Sequence, residues 1–366
     1  MKIITLVTAA GILGKVATIA AAIFFFGLLI LFHEGGHFAF AKLFNVKVNE
    51  FAFGMGPTLW SKQKGETKYA LHLFPIGGFC SMEGESESSE SDRAYCNKPV
   101  WQRLIICAAG AVINIIMGFL IVVLMLCVTT GKDSGIGTPQ VYYFQEDAVS
   151  CDSGLEEMDL ITSINGKRVF TMTDISLLMT RDKDGVLDMT VRRDGKKVVL
   201  DNVRFDTYEE DGQNLIVLDF IFRGVKVNFL TVMKYSFLET VSYVRLVWLS
   251  FFDLITGTYG VSDLSGPIGT VAYVAEAAEE SVKSMDWSYV LFIMALIAVN
   301  IGVFNLFPLP ALDGGRIFFM LIEIVFRKPV PAKYENLVHA IGLIILLIFM
   351  ALISVSDIIK LATGQI

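Results

Sequence analysis

The sequence predicts an α-helical polytopic membrane protein: four transmembrane helices, a β-hairpin after the first, and a mainly-β domain inserted after the second. Three observations predict it. Of 366 residues, 54% are hydrophobic and 18% charged, and the mean hydropathy is +0.59, too apolar for an ordinary soluble globule. Four apolar runs approach or exceed the roughly 20 residues that a helix needs to cross a bilayer. Between the second and third runs, short alternating segments separated by turn residues read as strands. The net charge of -7 and the lack of any Lys/Arg-rich run exclude a nucleic-acid partner. The five cysteines, Cys80, Cys96, Cys107, Cys127 and Cys151, contain no C-x-x-C pair, so they read as free thiols with no disulfide framework or thiolate metal site.

Residues 1–44 hold the first span, an apolar run over 16–41 broken only by His33-Glu34-Gly35-Gly36-His37. A cleaved signal peptide is the alternative. The run is too long for a usual signal core, and it leads directly into the His/Glu cluster. Residues 45–100 follow. Segment 46–53 alternates, and 58–63 and 67–74 flank a turn at Lys64-Gly65-Glu66, the pattern of a hairpin or small sheet. Segment 83–92, rich in Ser and Glu, reads as a mobile linker. Residues 101–130 hold the second span, uncharged over 104–130.

Residues 131–225 form the mainly-β domain. Strand patterns lie at 187–192, 197–200 and 215–222, turns at Asn165-Gly166 and Asp194-Gly195, and one helix at 172–180. Residues 226–284 open with an apolar stretch, 227–259, whose Lys234, Glu239, Arg245 and Asp253 fall within an arc of about 140°. Such a helix fits the membrane surface better than its interior. Residues 285–315 hold the third span, over 289–307, and a Pro/Gly-rich segment. Residues 316–366 give a loop and the fourth span, over 337–354.

Basic residues in short loops set the orientation. Lys42, Lys47, Lys62, Lys64, Lys68, Arg93, Lys98 and Arg103 lie between spans one and two, and Arg316, Arg327, Lys328 and Lys333 between spans three and four. Both loops are then cytoplasmic, and residues 131–284 and the termini face outward.

The chemistry centres on His33-Glu34-Gly35-Gly36-His37. On a helix, residues four apart share a face, about 6 Å apart along the axis, so both imidazoles can bind one ion. The H-E-x-x-H pattern is that of a zinc metalloprotease, with Glu34 as the base for a zinc-held water. The bland alternative is solvated or packing residues, but His and Glu inside an apolar run are costly in lipid and mark function. Gly35-Gly36 costs helix stability, which suggests that the missing side chains make room for a neighbouring helix or the substrate. A third ligand must come from elsewhere. His72 in the hairpin reads as a surface residue and His339 in span four as interfacial. Asp313 follows span three at the depth of the histidines. Pro308 and Pro310 stop that helix, and Gly314-Gly315 lets the backbone bend. On spacing alone, Asp313 is either a ligand or a solvated residue of a helix-ending turn. Two other readings compete with a protease: a zinc-binding scaffold without catalysis, which has no need of Glu34, and a metal transporter, which usually shows repeated halves that are not visible here.

On these motifs the chain resembles the site-2 protease family of intramembrane zinc metalloproteases, in particular its bacterial RseP-like branch. His33-Glu34-Gly35-Gly36-His37 matches the family's first motif. Asn305-Leu306-Phe307-Pro308-Leu309-Pro310-Ala311-Leu312-Asp313-Gly314-Gly315 matches its N-x-x-P-x-P-x-L-D-G motif, which implies that Asp313 is the third Zn²⁺ ligand. Pro75-Ile76-Gly77-Gly78-Phe79 resembles the end of its membrane-associated β-hairpin, and Leu264-Ser265-Gly266-Pro267-Ile268-Gly269 the segment before its third core span. Residues 154–166 resemble a PDZ domain, with Met158 where the family pattern has Gly. One such domain fits, with a gating or structural role or capture of a peptide ligand.

The resemblance implies a bacterial plasma (inner) membrane enzyme with its active site toward the cytoplasm and the PDZ-like domain outside. It implies substrates that are single-pass transmembrane proteins, such as anti-sigma factors or signal-peptide remnants. A substrate strand would be held by the hairpin edge and by Gly110, Asn114, Asn305, Pro308 and Pro310. Asn114 has the alternative of an interhelical hydrogen bond that only aids packing.

Overall fold

The computed structural model describes residues 2–85, 87, 89–129, 135–210, 213–257 and 265–363. Thr130, at the end of the expected second span, and Leu264, at the head of the Leu-Ser-Gly-Pro motif, lie outside the described residues, as do 131–134, 258 and 259. In chain order the elements are α1 (Lys2–Leu43), β1 (Val48–Lys64), β2 (Thr67–Met82), α2 (Val100–Thr129), β3 (Ile136–Phe144), β4 (Leu160–Ile164), β5 (Lys167–Arg168), α3 (Met172–Thr180), β6 (Val186–Arg193), β7 (Lys196–Arg204), β8 (Thr207–Glu210), β9 (Gln213–Ile216), β10 (Phe220–Val225), α4 (Phe229–Thr256), α5 (Pro267–Ser284), α6 (Ser288–Leu306), α7 (Asp313–Phe326) and α8 (Ala332–Thr363). They divide into two compact units, residues 1–121 with 250–366, and residues 122–249.

Four helical segments are long and apolar enough to span a membrane: Val16–Leu43, Val100–Val128, Ser288–Leu306 and Ala332–Thr363. These are the four runs expected from the sequence. Small residues let their backbones approach, as in membrane helices generally. A Cβ on Gly36 of α1 would stand 2.7 Å from the Ala109 carbonyl oxygen of α2, and one on Gly302 of α6 would stand 2.7 Å from the Ala111 oxygen of the same helix. Gly36 thus serves helix–helix approach, whereas Gly35 faces open space. Pro308, which has no N–H, follows the end of α6.

Two further helices were not expected. They fall where the sequence indicates a connection and a loop: α5 has 18 residues but carries Glu276, Glu279, Glu280 and Lys283, and α7 has only 14 residues. Gly314 and Gly315 do not bend the backbone as expected. They lie in the first turn of α7, where a side chain would run into Leu306 and Phe307, and into Leu309. Asp357, fully buried on α8, accepts from the backbone N–H of Gly266 at 3.1 Å and of Gly269 at 2.9 Å. It caps α5, and a Cβ on Gly269 would meet it at 2.9 Å.

The hairpin is longer than the sequence suggested and folds over on itself. Glu50–Phe53 has Cα partners in Lys68–Leu71 and also in Gly78–Ser81. Gly54, Gly56 and Gly77, with φ of 84°, 90° and 84°, make the bends where L side chains would be strained. The expected linker over 83–92 is tied down in its described residues. Ser89 Oγ donates to Glu83 Oε1 at 3.1 Å, Asn97 Nδ2 donates to the carbonyls of Ser89 and Ser91, and Glu85 pairs with Arg316.

The second unit holds a sheet of order β10-β3-β4-β6-β7, with β5 paired to β4. Val141, Ile161, Ile164, Ile175, Leu187, Met189, Val191 and Phe220 fill its core with α3. The expected strand over 215–222 is split into β9 and β10. Met158, where a glycine was expected, takes the left-handed backbone (φ 69°) that glycine would supply. The turn persists because the fully buried Asp159 accepts from Glu156 N–H at 3.0 Å and from Arg193 at 2.7 and 2.8 Å. Two of the charges on α4, Glu239 and Arg245, turn toward α3, whereas Lys234 is exposed. Thr173 Oγ1 donates to Glu239 Oε2 at 2.8 Å, Ser242 Oγ donates to Asp174 Oδ2 at 2.9 Å, and Arg245 lies 3.4 Å from Asp174.

Candidate metal centre

His33 and His37 stand one turn apart on α1, near its C-terminal end. Their Nε2 atoms are 3.3 Å apart. Asp313 Oδ2 lies 3.1 Å from His33 Nε2 and 3.3 Å from His37 Nε2. Among the described residues these three are the group of His, Cys, Asp or Glu able to hold a metal ion. An ion about 2.0–2.1 Å from each of three N or O donors in tetrahedral geometry separates them by roughly 3.3 Å. The triangle has that size.

The proton positions point the same way. His37 Nδ1 lies 2.8 Å from the carbonyl oxygen of Ile106, which can only accept, so Nδ1 carries the proton and Nε2 presents a lone pair to the triangle. The Asp313 Oδ2 atom is buried without a hydrogen-bond partner among the described residues. A carboxylate oxygen facing imidazole lone pairs is unfavourable unless a cation lies among them. The donor set therefore fits a divalent zinc ion.

His33 Nδ1 lies 3.4 Å from the amide nitrogen Nδ2 of Asn114, which is fully buried on α2, and the two ends of that amide can exchange places by a half-turn. With Oδ1 turned toward His33, the amide accepts the Nδ1 proton, and the otherwise partnerless Oδ1 is satisfied. This orientation leaves the His33 lone pair on Nε2 as well.

Asp313 reaches the triangle from a short irregular segment. Ala311, two residues earlier, has φ +75°, and its N–H donates to Nδ1 of His339 at 3.0 Å. Cys107 Sγ donates to the Asp313 carbonyl oxygen at 3.4 Å. Asp313 is then the first residue of α7.

A cavity of about 1010 Å³ opens beside the triangle, lined by Glu34, His37 and Asp313 together with Phe79, Cys80, Ser81 and Met82 of β2. A Cβ on Gly78 would lie 3.4 Å from Glu34 Cγ, so the end of the hairpin passes alongside the proposed base.

The structure thus brings His33, Glu34, His37 and Asp313 together. It places Asn114 behind His33. Gly110 lies under both imidazoles, where a Cβ would stand 2.5 Å from His37 Nε2. Neither Gly110 nor Asn114 lines the cavity; nor do Asn305, Pro308 or Pro310, although the following Ala311 and Leu312 do. His72 lies on the hairpin with its ring 6.0 Å from Phe79, apart from the donor group. The sequence reading missed Ile106 and Cys107, since a backbone acceptor and an isolated thiol carry no sequence signal. It read His339 as interfacial; the only hint of its contact was a histidine inside an apolar run.

Comparison with known proteins matches residues 21–349 to the model of peptidase family M50. A protein of Clostridium perfringens named as a zinc metalloprotease is 32% identical over 92% of this chain and 97% of its own length. One from Fusobacterium nucleatum, named likewise, is 33% identical over 94% and 99%. The regulator of sigma-W protease RasP of Bacillus subtilis is 26% identical over 94% and 99%.

Proposed function

The chain belongs to peptidase family M50, the zinc metalloproteases of the site-2 type, and from that premise we propose that His33, His37 and Asp313 hold the zinc ion while Glu34 is the catalytic base of intramembrane proteolysis. The family and the four apolar helices mark a bacterial inner-membrane protein. The observation that carries the assignment is the triangle of two Nε2 atoms and Oδ2, with edges of 3.1, 3.3 and 3.3 Å. Bound there, zinc would acidify a water molecule and polarise the peptide carbonyl.

The remaining chemistry belongs to the chain. Glu34, on the cavity wall, takes a proton from the attacking water and returns it to the leaving amine. Ile106 and Asn114 fix the tautomers of His37 and His33. The substrate is a single-pass transmembrane protein, as in regulated intramembrane proteolysis of anti-sigma factors or signal-peptide remnants. A helix hides its peptide bonds, so the substrate must unwind, and an extended strand can pair with β2 where Phe79 to Met82 line the cavity. The active site faces the cytoplasm, following the basic residues of the two short loops. The β domain is PDZ-like and faces outward. It restricts access or captures a peptide, and the retained turn at Met158 and Asp159 supports that likeness.

Zinc content and cleavage of a model transmembrane substrate test the assignment. Glu34→Gln keeps zinc and loses about 10²–10⁴-fold in cleavage rate. His33→Ala and Asp313→Ala lose both. Normal cleavage by Glu34→Gln would refute the mechanism, and full zinc in Asp313→Ala would refute the ligand set.

A further inference from the structure

His339 lies outside the donor triangle and belongs to α8, the last helix of the chain. Its importance follows from the backbone of the segment that carries Asp313. Pro308 and Pro310 have no N–H. Leu309 N–H bonds to the Phe307 carbonyl oxygen at 2.6 Å, and Leu312 N–H to the Leu309 oxygen at 3.3 Å, both within the segment. Ala311 supplies the N–H that leaves it, and that proton goes to His339 Nδ1 at 3.0 Å.

Ala311 is also the strained residue of the segment. Its φ of +75° lies in the left-handed region, which a residue with a Cβ rarely adopts unless the surroundings hold it there. The surroundings here are those of α8. Gly342 is flush against Pro310, where any side chain would collide, and a Cβ on Gly315 would stand 3.0 Å from His339 Cε1. Since Nδ1 accepts, the His339 proton sits on Nε2, which is buried with no partner among the described residues. Burying an unpaired N–H is unfavourable, so the contact that the ring does make carries the weight of its placement.

We propose that His339 is a positioning residue of the metal centre. Through Nδ1 it holds the left-handed turn at Ala311 and so sets the direction in which Asp313 leaves the chain toward the metal. The inference rests on Asp313 being a zinc ligand. It makes α8 part of the site, although no atom of α8 belongs to the donor set.

The test uses the full-length protein in detergent and compares wild type with His339→Ala, His339→Asn, His339→Gln, the double variant His339→Ala/Ala311→Gly, and Asp313→Ala. The readouts are zinc retained against a competing chelator, the unfolding midpoint of the zinc-free protein, and kcat and KM for a model substrate. His339→Ala should weaken zinc retention about 10–100-fold, as loss of outer partners of ligands does, and lower kcat with little change in KM. Asn places an oxygen where Nδ1 was and should restore retention. Gln places its oxygen near Nε2 and should not. Ala311→Gly removes the strain and should recover part of the loss caused by His339→Ala.

Wild-type zinc retention in His339→Ala, alongside loss in Asp313→Ala, would overturn the role of His339 and leave the ligand set intact. Equal defects in all His339 variants, with no recovery from Ala311→Gly, would reduce the ring to a space filler and overturn it too. Full retention in Asp313→Ala would overturn the ligand assignment itself.

Discussion

A single methyl group at position 110 should disable the metal centre while strengthening the helix that carries it. Gly110 lies on α2 directly beneath the two imidazoles. The Cβ of an alanine there would stand 2.5 Å from His37 Nε2 and 2.8 Å from Cε1 of each histidine. Non-bonded carbon and nitrogen atoms rest at roughly 3.5 Å, so the His37 ring or α2 must yield by about 1 Å. Either response harms the site. Moving the ring takes Nε2 well outside the tolerance of about 0.2 Å for a zinc ligand. Moving α2 draws Ile106 and Asn114 away from the Nδ1 atoms that they hold.

A misplacement of this size costs about 10²-fold in rate, or about 2.7 kcal/mol, and zinc affinity should fall by a similar factor. Helix propensity works in the opposite direction, favouring Ala over Gly by about 1 kcal/mol, so loss of function need not come with loss of the fold. The assay is chelator competition on purified Gly110→Ala, with cleavage kinetics in parallel. Gly35→Ala, whose Cβ meets nothing within 4 Å, is the control and should keep its zinc. A Gly110→Ala protein that binds zinc within twofold of wild type and shows only a raised KM would refute this reasoning. It would return Gly110 to the substrate-contact role that the resemblance implied.

Two further outcomes follow from buried carboxylates. Asp357→Ala leaves the N–H groups of Gly266 and Gly269 without their acceptor. At about 1–3 kcal/mol per unmet donor, the protein should lose roughly 2–6 kcal/mol of stability, read as a lower unfolding midpoint in detergent. Asp357→Asn, which keeps one acceptor, should fall between, and an unchanged midpoint in the Ala variant would show that α5 needs no cap. Burial pushes the Glu239 carboxyl up to about 7, reinforced by the charge of Asp174 and opposed by the hydroxyls of Thr173 and Thr171. The folded state then binds this proton more tightly than the unfolded chain, where the group titrates near 4.5. Its contribution is present in full below about 4.5 and is lost as the pH rises through about 7. Glu239→Gln should therefore flatten the fall in unfolding midpoint between pH 5 and pH 8, and an unchanged slope would exclude Glu239 as its source.

Much of the molecule was legible in its sequence because the relevant signals are local. The four apolar runs are set by length alone. The spacing of His33 and His37 on one helix fixes a shared face, and helix α3 over Met172–Thr180 was read to the residue. The turn at Met158 was harder. Met158 stands where the pattern it resembles has Gly, which put the turn in question, yet Asp159 and Arg193 hold the left-handed backbone in place. Helices α5 and α7 were missed because a charged or short amphipathic helix resembles a connection in an apolar chain.

The sequence by itself determined that two histidines and a glutamate lie together in an apolar helix, and that an aspartate follows a proline-stopped helix far along the chain. Both are consequences of helix periodicity and backbone chemistry, which act within a few residues. Only the tertiary structure decided the rest. It closed the triangle across 276 residues of sequence, from His37 to Asp313. It set Gly110 and Asn114 against the histidines, and it made His339, read from the sequence as interfacial, a hydrogen-bond partner of Ala311. These contacts depend on how closely α2 approaches α1, and α8 the segment after α6. That distance is set by packing of small residues from separate helices, which no single stretch of sequence encodes.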